Sequence, residues 1–142
     1  MKKLVIASDH GGFALKEKLK PWLIKQGYSL EDVGAINDTP SDHPTFAKKV
    51  AQKVLAENAF GILICGTGIG MCQTANRYKG IYATMAHNET FAELSRLHNN
   101  SNVLCLAGRF ISFEKAKKIT KTFLDTDFLG GHYTARVNML DV

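Results

Sequence analysis

The fold class can be inferred from one segment, Gly61-Ile62-Leu63-Ile64-Cys65-Gly66-Thr67-Gly68-Ile69-Gly70-Met71. An apolar run ends at Cys65, alternating glycines follow, and a helix is predicted to open near Met71. A buried parallel strand that runs into a glycine-rich turn and a helix makes an anion-binding nest, because free backbone N–H groups converge there. The positive field at such a turn favours the thiolate form of a cysteine. The turn therefore offers a base or nucleophile beside a cradle for negative charge.

Three familiar motifs do not fit this turn. The dinucleotide-binding fingerprint needs its third glycine one residue later than Gly70. The P-loop needs a lysine and a serine or threonine where Met71 and Cys72 stand. The hydrolase elbow, Gly-x-Ser-x-Gly, is absent around Cys65. What remains is an activated thiol beside an oxyanion or phosphate pocket.

Strands and helices alternate along the whole chain on both sides of the turn. The predicted strands cover residues 3–8, 29–33, 61–65, 81–86 and 103–107. The predicted helices cover residues 12–26, 45–58, 70–78, 89–98 and 112–125, with a short one from about Tyr133. Near-continuous apolar strands are expected where helices cover both faces of a sheet. The pattern predicts a three-layer α/β/α doubly wound sandwich, Rossmann-like, with a five-stranded parallel sheet.

Length and composition set the broad class. A chain of 142 residues with 45% hydrophobic and 22% charged residues is ordinary for one soluble domain. We expect a single domain over residues 1–142, with a C-terminal helical arm from about residue 130, where Gly130-Gly131 forms a break. No apolar run approaches the ~20 residues of a membrane span, and no processing site follows the N-terminus. The expected location is the cytoplasm.

The distribution of charge indicates which classes of partner suit the chain, and its cysteines indicate a compartment. The net charge of +5 is spread out, and the densest lysine cluster, at residues 115–121, favours a solvated helix face over a nucleic-acid patch. The excess suits a small anionic substrate. Cys72 and Cys105 are interpreted as small core residues, and unpaired thiols suit a reducing compartment.

Reactive side chains are expected where the strands end, because ligands of open α/β sheets bind beyond the carboxyl ends of the strands. These candidates are Asp9, His10, Cys65, Thr67, His98, Asn99, Arg109, His132 and Arg136. Each has a plainer interpretation: an acid can cap a helix, a histidine can end one, and an arginine can be a surface residue. Together, acid, thiol, histidines and arginines are predicted to converge at one edge.

Two other folds of this class are excluded by the same positions. A phosphoaspartate receiver would have a lysine after the fifth strand, where Gly108 and Arg109 follow. A phosphatase of the haloacid type would have Asp-x-Asp after the first strand, but Gly11 stands two residues after Asp9.

The spaced motifs together resemble the B-type ribose-5-phosphate isomerases of the ribose/galactose isomerase superfamily. The segments that carry the resemblance are Asp9-His10-Gly11-Gly12, Ile64-Cys65-Gly66-Thr67-Gly68-Ile69-Gly70, Leu94-Ser95-Arg96-Leu97-His98-Asn99 and Asn102-Val103-Leu104. The resemblance covers nearly the whole chain and extends to Gly130-Gly131 and Arg136. It implies interconversion of D-ribose 5-phosphate and D-ribulose 5-phosphate through an enediolate, with no metal and no cofactor.

The resemblance also implies a role for each candidate. Cys65 would be the proton-transferring base, Asp9 would move the hydroxyl proton, and His98 would assist ring opening. The enediolate oxygen would be held by Thr67 and the backbone from Gly66 through Gly68 to Gly70. The substrate would be oriented by Asn99, and its phosphate would be bound by His10, Arg109, His132 and Arg136.

Two positions depart from the family pattern. Many relatives have arginine where this chain has His132, and tyrosine is common where His43 stands; the plainer interpretation of His43 is a loop residue. A histidine binds phosphate well only when it is protonated, and the roles of His98 and His132 could overlap. The family forms homodimers or homotetramers, so residues 98–99, 132 and 136 would partly serve a neighbour's pocket.

Three alternatives stay open at this stage. One is a galactose-6-phosphate or allose-6-phosphate isomerase of the same superfamily. Another is a non-catalytic sugar-phosphate-binding module, although binding alone needs no base at Cys65. The third, a thiol redox protein, lacks a resolving cysteine at CxxC spacing. We expect no nucleic-acid and no membrane partner.

Overall fold

The computed structural model describes residues 1–142 and has a five-stranded, all-parallel sheet at its centre. The strands are β1 (Leu4–Ser8), β2 (Leu30–Asp32), β3 (Phe60–Cys65), β4 (Ala83–Met85) and β5 (Val103–Ala107). They lie in the order β2-β1-β3-β5-β4. The predicted doubly wound α/β/α fold is therefore confirmed.

Six helices flank the sheet. They are α1 (Phe13–Lys25), α2 (His43–Glu57), α3 (Ile69–Ala75), α4 (Glu89–Asn99), α5 (Phe113–Asp125) and α6 (His132–Asn138). A short 3-10 turn (His10–Gly12) leads into α1. No helix is both long enough and apolar enough to cross a membrane.

The sheet separates two hydrophobic clusters, because alternate side chains of each strand point to opposite faces. On one face, Leu4 and Ile64 pack with α1 and α5 residues such as Leu19 and Phe123. On the other face, Leu63 and Cys105 pack with α2 and α3 residues such as Met71. Both faces of the sheet are thus covered by helices, as the apolar strands predicted.

All five strands of the parallel sheet end on one side, which we call the carboxyl edge, and begin on the opposite side, which we call the amino edge. At the carboxyl edge, Ser8 pairs with Ile64 and Cys65 pairs with Ala107. The residues that follow β1, β3 and β5 therefore lie next to one another. Helix α4 starts beyond the carboxyl end of β4 and runs back to the start of β5, so its last turn lies at the amino edge. Helix α5 runs back in the same way.

Candidate active site

The glycine turn after β3 holds a thiol against backbone N–H groups. Cys65 is only 5% exposed, and its Sγ accepts a hydrogen bond from the Gly68 N–H at 3.2 Å. Gly68 has φ +80°, in the left-handed region that favours glycine. The N–H groups of Gly66 and Thr67 donate to no other backbone group. The turn therefore places the Cys65 thiol beside two backbone N–H groups that make no hydrogen bond to another backbone group.

Thr67 adds a hydroxyl to this turn. Its Oγ1 accepts a hydrogen bond from the Ile69 N–H at 3.2 Å, at the start of α3. Because the hydroxyl oxygen is used as an acceptor there, its proton is left to donate to a bound molecule. The side chain is exposed, as a contact with an incoming ligand requires.

Asp9 and His10 follow β1 at the same edge. Asp9 is 6% exposed, and its Oδ1 accepts from the N–H groups of Gly11 at 2.9 Å and Gly12 at 3.2 Å. The plainer interpretation, a helix cap, is thus correct for this oxygen, and both contacts leave Oδ2 free. His10 Nδ1 accepts from the Ser41 N–H at 3.1 Å. Nε2 therefore carries the proton in the neutral ring and is a donor.

Arg109 brings a positive charge to the glycine turn. Its backbone N–H donates to the Gly66 carbonyl at 3.1 Å, just beyond the end of β5. Its side chain then crosses the turn, since a methyl group added at Gly66 would lie 3.3 Å from Nη1. One added at Gly11 would lie 3.4 Å from Cζ. An anion bound in the glycine turn would lie directly against the Arg109 guanidinium.

His43 was interpreted as a loop residue, but it is the first residue of α2 and lies against the glycine turn. A methyl group at Gly70 would come within 2.6 Å of His43 Nε2, so the imidazole packs directly on this glycine. The loop before His43 is anchored by Lys16, which is 1% exposed and donates to the Ala35 carbonyl at 2.7 Å. Nothing local in the sequence indicates this contact.

His98 and Asn99 lie at the opposite edge of the sheet within one chain. They form the last turn of α4, and Asn99 lies beside Tyr82 and Ala83 at the start of β4. The expectation that all the candidates converge at one edge therefore fails for a single chain. The reason is the direction of α4, which must cross the sheet between two parallel strands and so carries its C-terminus away from Cys65.

His132 and Arg136 belong to this second cluster. They lie on α6, which packs against α4. In the segment before α6, the Leu129 N–H donates to the Leu97 carbonyl of α4 at 3.1 Å. We call His98, Asn99, His132 and Arg136 the amino-edge cluster. Asp9, His10, Cys65, Thr67 and Arg109 form the carboxyl-edge cluster, together with the glycines of the turn.

Arg96 stabilises the end of α4 that carries His98 and Asn99, a role that was not predicted from the sequence. It is 6% exposed, and its Nε donates to the Thr126 carbonyl at 3.0 Å. Its Nη1 donates to Asn100 Oδ1 at 3.2 Å and to the Ser101 carbonyl. The guanidinium also lies 4.8 Å from the ring centroid of Phe60. Arg96, two residues before His98, thereby connects the C-terminal end of α4 to the C-terminal end of α5.

Cys72, on α3, is a second thiol close to the glycine turn. It is half-buried on α3, and the Asn76 side-chain amide donates to its Sγ at 3.5 Å. A hydrogen bond from the Cys105 thiol lowers the pKa of Cys72 to about 7. The same hydrogen bond, together with complete burial, raises the pKa of Cys105 well above the ordinary value. All three cysteines are free thiols.

A Cys65→Ser variant should therefore still be alkylated by iodoacetamide at Cys72. Since the thiolate is the reacting form, the rate should rise with pH and reach half its maximum near pH 7. Peptide mass spectrometry over a pH series measures this rate. The Cys65→Ser/Cys72→Ser double variant is the control and should lose the fast reaction. Labelling of Cys105 instead, or a midpoint near the ordinary thiol value of ~8.5, would contradict the assignment.

The carboxyl-edge cluster can move a proton and stabilise an oxyanion. It combines a thiol, a carboxylate with one free oxygen, unused backbone N–H groups and two donors suited to phosphate. Histidine, cysteine and carboxylate side chains nowhere gather in threes close enough to hold a metal ion. The thiol, the carboxylate and the backbone N–H groups of this cluster match proton transfer next to a carbonyl group.

Comparison with known proteins agrees with this geometry. A profile of the Ribose/Galactose Isomerase family matches residues 4–140. The ribose-5-phosphate isomerase B of Escherichia coli K12 is 38% identical over 141 residues, covering 99% of this chain and 95% of its own. The probable ribose-5-phosphate isomerase B of Mycoplasma genitalium is 40% identical over 140 residues, covering 96% and 92%.

Solved structures give the same result. A ribose 5-phosphate isomerase of Thermotoga maritima superposes with a TM-score of 0.96 at 48% identity, covering 99% of this chain and 97% of its own. The Mycoplasma genitalium enzyme with bound ribulose-5-phosphate has a TM-score of 0.92 at 40% identity, covering 96% and 91%. The resemblance found in the sequence is confirmed: the chain belongs to the ribose/galactose isomerase family.

Proposed function

We propose that this protein interconverts D-ribose 5-phosphate and D-ribulose 5-phosphate through an enediolate, with Cys65 as the proton-transferring base. The observation that carries the proposal is the Cys65 thiol, held by the Gly68 N–H within a turn of unused backbone donors. Family members named for this reaction share the whole length of the chain, and one of them was solved with bound ribulose-5-phosphate.

Cys65 would take the proton from C2 of the open-chain aldose and return it to C1. The Gly68 N–H donates to the Cys65 Sγ at 3.2 Å and so fixes the position of the sulfur within the turn. Near-complete burial of Cys65 keeps bulk water from the sulfur. A positioned base of this kind contributes roughly 10²–10⁴-fold to the rate.

The oxygen of the enediolate would be held by the glycine turn. The Gly66 and Thr67 N–H groups and the Thr67 hydroxyl proton have no partner that competes for them. Loss of one such donor costs about 2.7–4 kcal/mol of transition-state stabilisation in other enzymes. The free Oδ2 of Asp9 would move the hydroxyl proton between O1 and O2.

A second copy of the chain would complete the site. The amino-edge cluster cannot reach Cys65 of its own chain, whereas a two-fold dimer can place one chain's amino edge against the other's carboxyl edge. Exposed apolar side chains beside both clusters support such contact: Ile69 and Phe110 next to the glycine turn, and Leu129 and Met139 next to α6.

In that dimer, each chain would supply groups to two sites. His98 of the second copy would assist ring opening and Asn99 would orient the sugar. His132 and Arg136 of the second copy would bind the phosphate together with His10 and Arg109 of the first, arginine giving bidentate contacts. The proposed oligomer is a homodimer or a pair of dimers. The proposed compartment is the cytoplasm, which three free thiols support.

The purified protein should convert ribose 5-phosphate to ribulose 5-phosphate and reach the same equilibrium mixture from either side. Proton NMR of both sugars over time measures this directly. Galactose 6-phosphate and allose 6-phosphate, run in parallel, are the matched comparison and should turn over more slowly. Turnover of a six-carbon phosphate with none of ribose 5-phosphate would reassign the substrate. Binding of these sugars without turnover would leave only a sugar-phosphate-binding module.

A further inference from the structure

Tyr133 is a residue of the amino-edge region to which the sequence assigned no role. Its ring lies against that of His98, with 4.4 Å between the centroids and 13° between the planes. It also contacts the His132 ring at 4.1 Å, tilted by 35°, and the Arg136 guanidinium lies 5.9 Å from its centroid. One aromatic ring thus contacts three of the proposed site residues.

Tyr133 is the only aromatic residue whose ring stacks on the His98 imidazole. His98 is the penultimate residue of α4, its side chain is half-exposed, and its ring nitrogens make no hydrogen bond within the chain. An exposed side chain without such a bond changes rotamer freely unless packing restricts it. The nearly parallel Tyr133 ring restricts it, while leaving both ring nitrogens free for a substrate.

We infer that Tyr133 is a positioning residue that fixes the plane of the His98 imidazole for ring opening of the cyclic sugar. The inference deepens the proposed function and rests on the proposed role of His98. Tyr133 acts through its ring face, since its hydroxyl makes no hydrogen bond within the chain. Phenylalanine should therefore replace it, whereas an aliphatic side chain should not.

The arm that carries Tyr133 is held independently of this stack. Val137 of α6 is 5% exposed. Beyond the helix, Asp141 accepts hydrogen bonds from the Gly80 N–H at 3.0 Å and from the Tyr82 hydroxyl at 2.8 Å. Removal of the Tyr133 ring should consequently free the His98 side chain without detaching α6.

The test compares Tyr133→Phe with Tyr133→Leu, using ribose 5-phosphate with hydrogen or deuterium at C2. Tyr133→Leu should lower kcat/KM about ten- to hundredfold, since small misplacements of reacting groups have effects of this size. Its isotope effect on kcat/KM should fall towards one, because ring opening then precedes and limits proton transfer. Tyr133→Phe should keep both wild-type values. Tyr28→Leu, at a tyrosine with no ring contact and no hydrogen bond to either cluster, controls for the loss of a tyrosine and should keep the wild-type isotope effect.

A second measurement does not depend on turnover. In proton NMR, ring current from the stack should shift the His98 ring protons upfield in wild type and Tyr133→Phe, but not in Tyr133→Leu. Wild-type kcat/KM in Tyr133→Leu, an isotope effect that stays at its wild-type size as kcat/KM falls, or equal losses in both variants would overturn the inference. A stacked His98 in a protein that does not turn over ribose 5-phosphate would leave the positioning intact and refute the proposed function instead.

Discussion

Replacement of Cys65 by alanine is expected to lower kcat for the interconversion of ribose 5-phosphate and ribulose 5-phosphate by about 10³-fold, within the range for loss of a positioned base. The fold should survive, because the backbone bonds at this position remain: the Gly108 N–H donates to the Cys65 carbonyl at 2.8 Å. Steady-state rates with either sugar, together with thermal unfolding curves, measure the two quantities.

Cys72→Ala is the matched control for this prediction. It removes another thiol from the same turn-and-helix segment, seven residues further along the chain. Its sulfur is bound to Asn76 and Cys105 and is not directed by the Gly68 N–H. Near-wild-type turnover is expected. Wild-type turnover in Cys65→Ala, or equal losses in the two variants, would remove Cys65 from the role of base.

The carboxyl-edge cluster could be predicted from the sequence because its determinants are local. Asp9 follows an apolar strand directly, and Cys65 is followed by glycines at fixed spacing. Parallel pairing then brings the ends of these strands together. The interior strand β5 was predicted with its observed bounds, 103–107. Strand, turn and helix signals at this edge all lie within a few residues of the groups they position.

The edge strand β4 was less predictable because side chains replace part of its ladder of backbone hydrogen bonds. The strand predicted over residues 81–86 is shorter in the structure, as β4 covers Ala83–Met85. At its start, the Tyr82 N–H donates to the Asn102 side chain at 2.8 Å and not to a neighbouring strand. An apolar pattern alone does not distinguish such a side-chain bond from a ladder bond.

The separation of the candidate residues into two clusters within one chain differs from the expectation that they all converge where the strands end, although it suits the shared pocket that the family resemblance implied. His98 precedes β5 in the chain, which suggested proximity to the strand ends. Yet α4 spans 11 residues and must return to the amino edge before β5 begins. His43 and Tyr133 were missed for a related reason: their contacts, with Gly70 and His98, join segments that are distant in sequence. Such contacts depend on how whole helices pack.

A mixture of two inactive variants should regain activity if the site is shared between chains. One variant, Cys65→Ala, damages only the carboxyl-edge cluster. The other, His98→Asn/Arg136→Ala, damages only the amino-edge cluster, removing the proposed ring-opening group and a proposed phosphate ligand together. Each variant alone should show kcat/KM far below wild type, because every one of its sites lacks an essential group.

If the two variant chains pair at random, the fraction of intact active sites can be calculated. A site is intact only when its carboxyl edge comes from the His98→Asn/Arg136→Ala chain and its amino edge comes from the Cys65→Ala chain. After unfolding and refolding of an equimolar mixture, about one quarter of all sites should meet this condition. The fraction is the same for a dimer and for a tetramer built from such dimers. Wild-type protein taken through the same cycle gives the reference value.

In the proposed dimer, each active site takes its thiol from one chain and its imidazole and arginine from the other. The activity of the refolded mixture towards ribose 5-phosphate, per chain and relative to refolded wild type, measures whether the site is shared in this way. The predicted result is about one quarter of the wild-type kcat/KM, with negligible activity in either variant refolded alone. A mixture as inactive as its two components would show that each site is built within one chain, and would contradict the account.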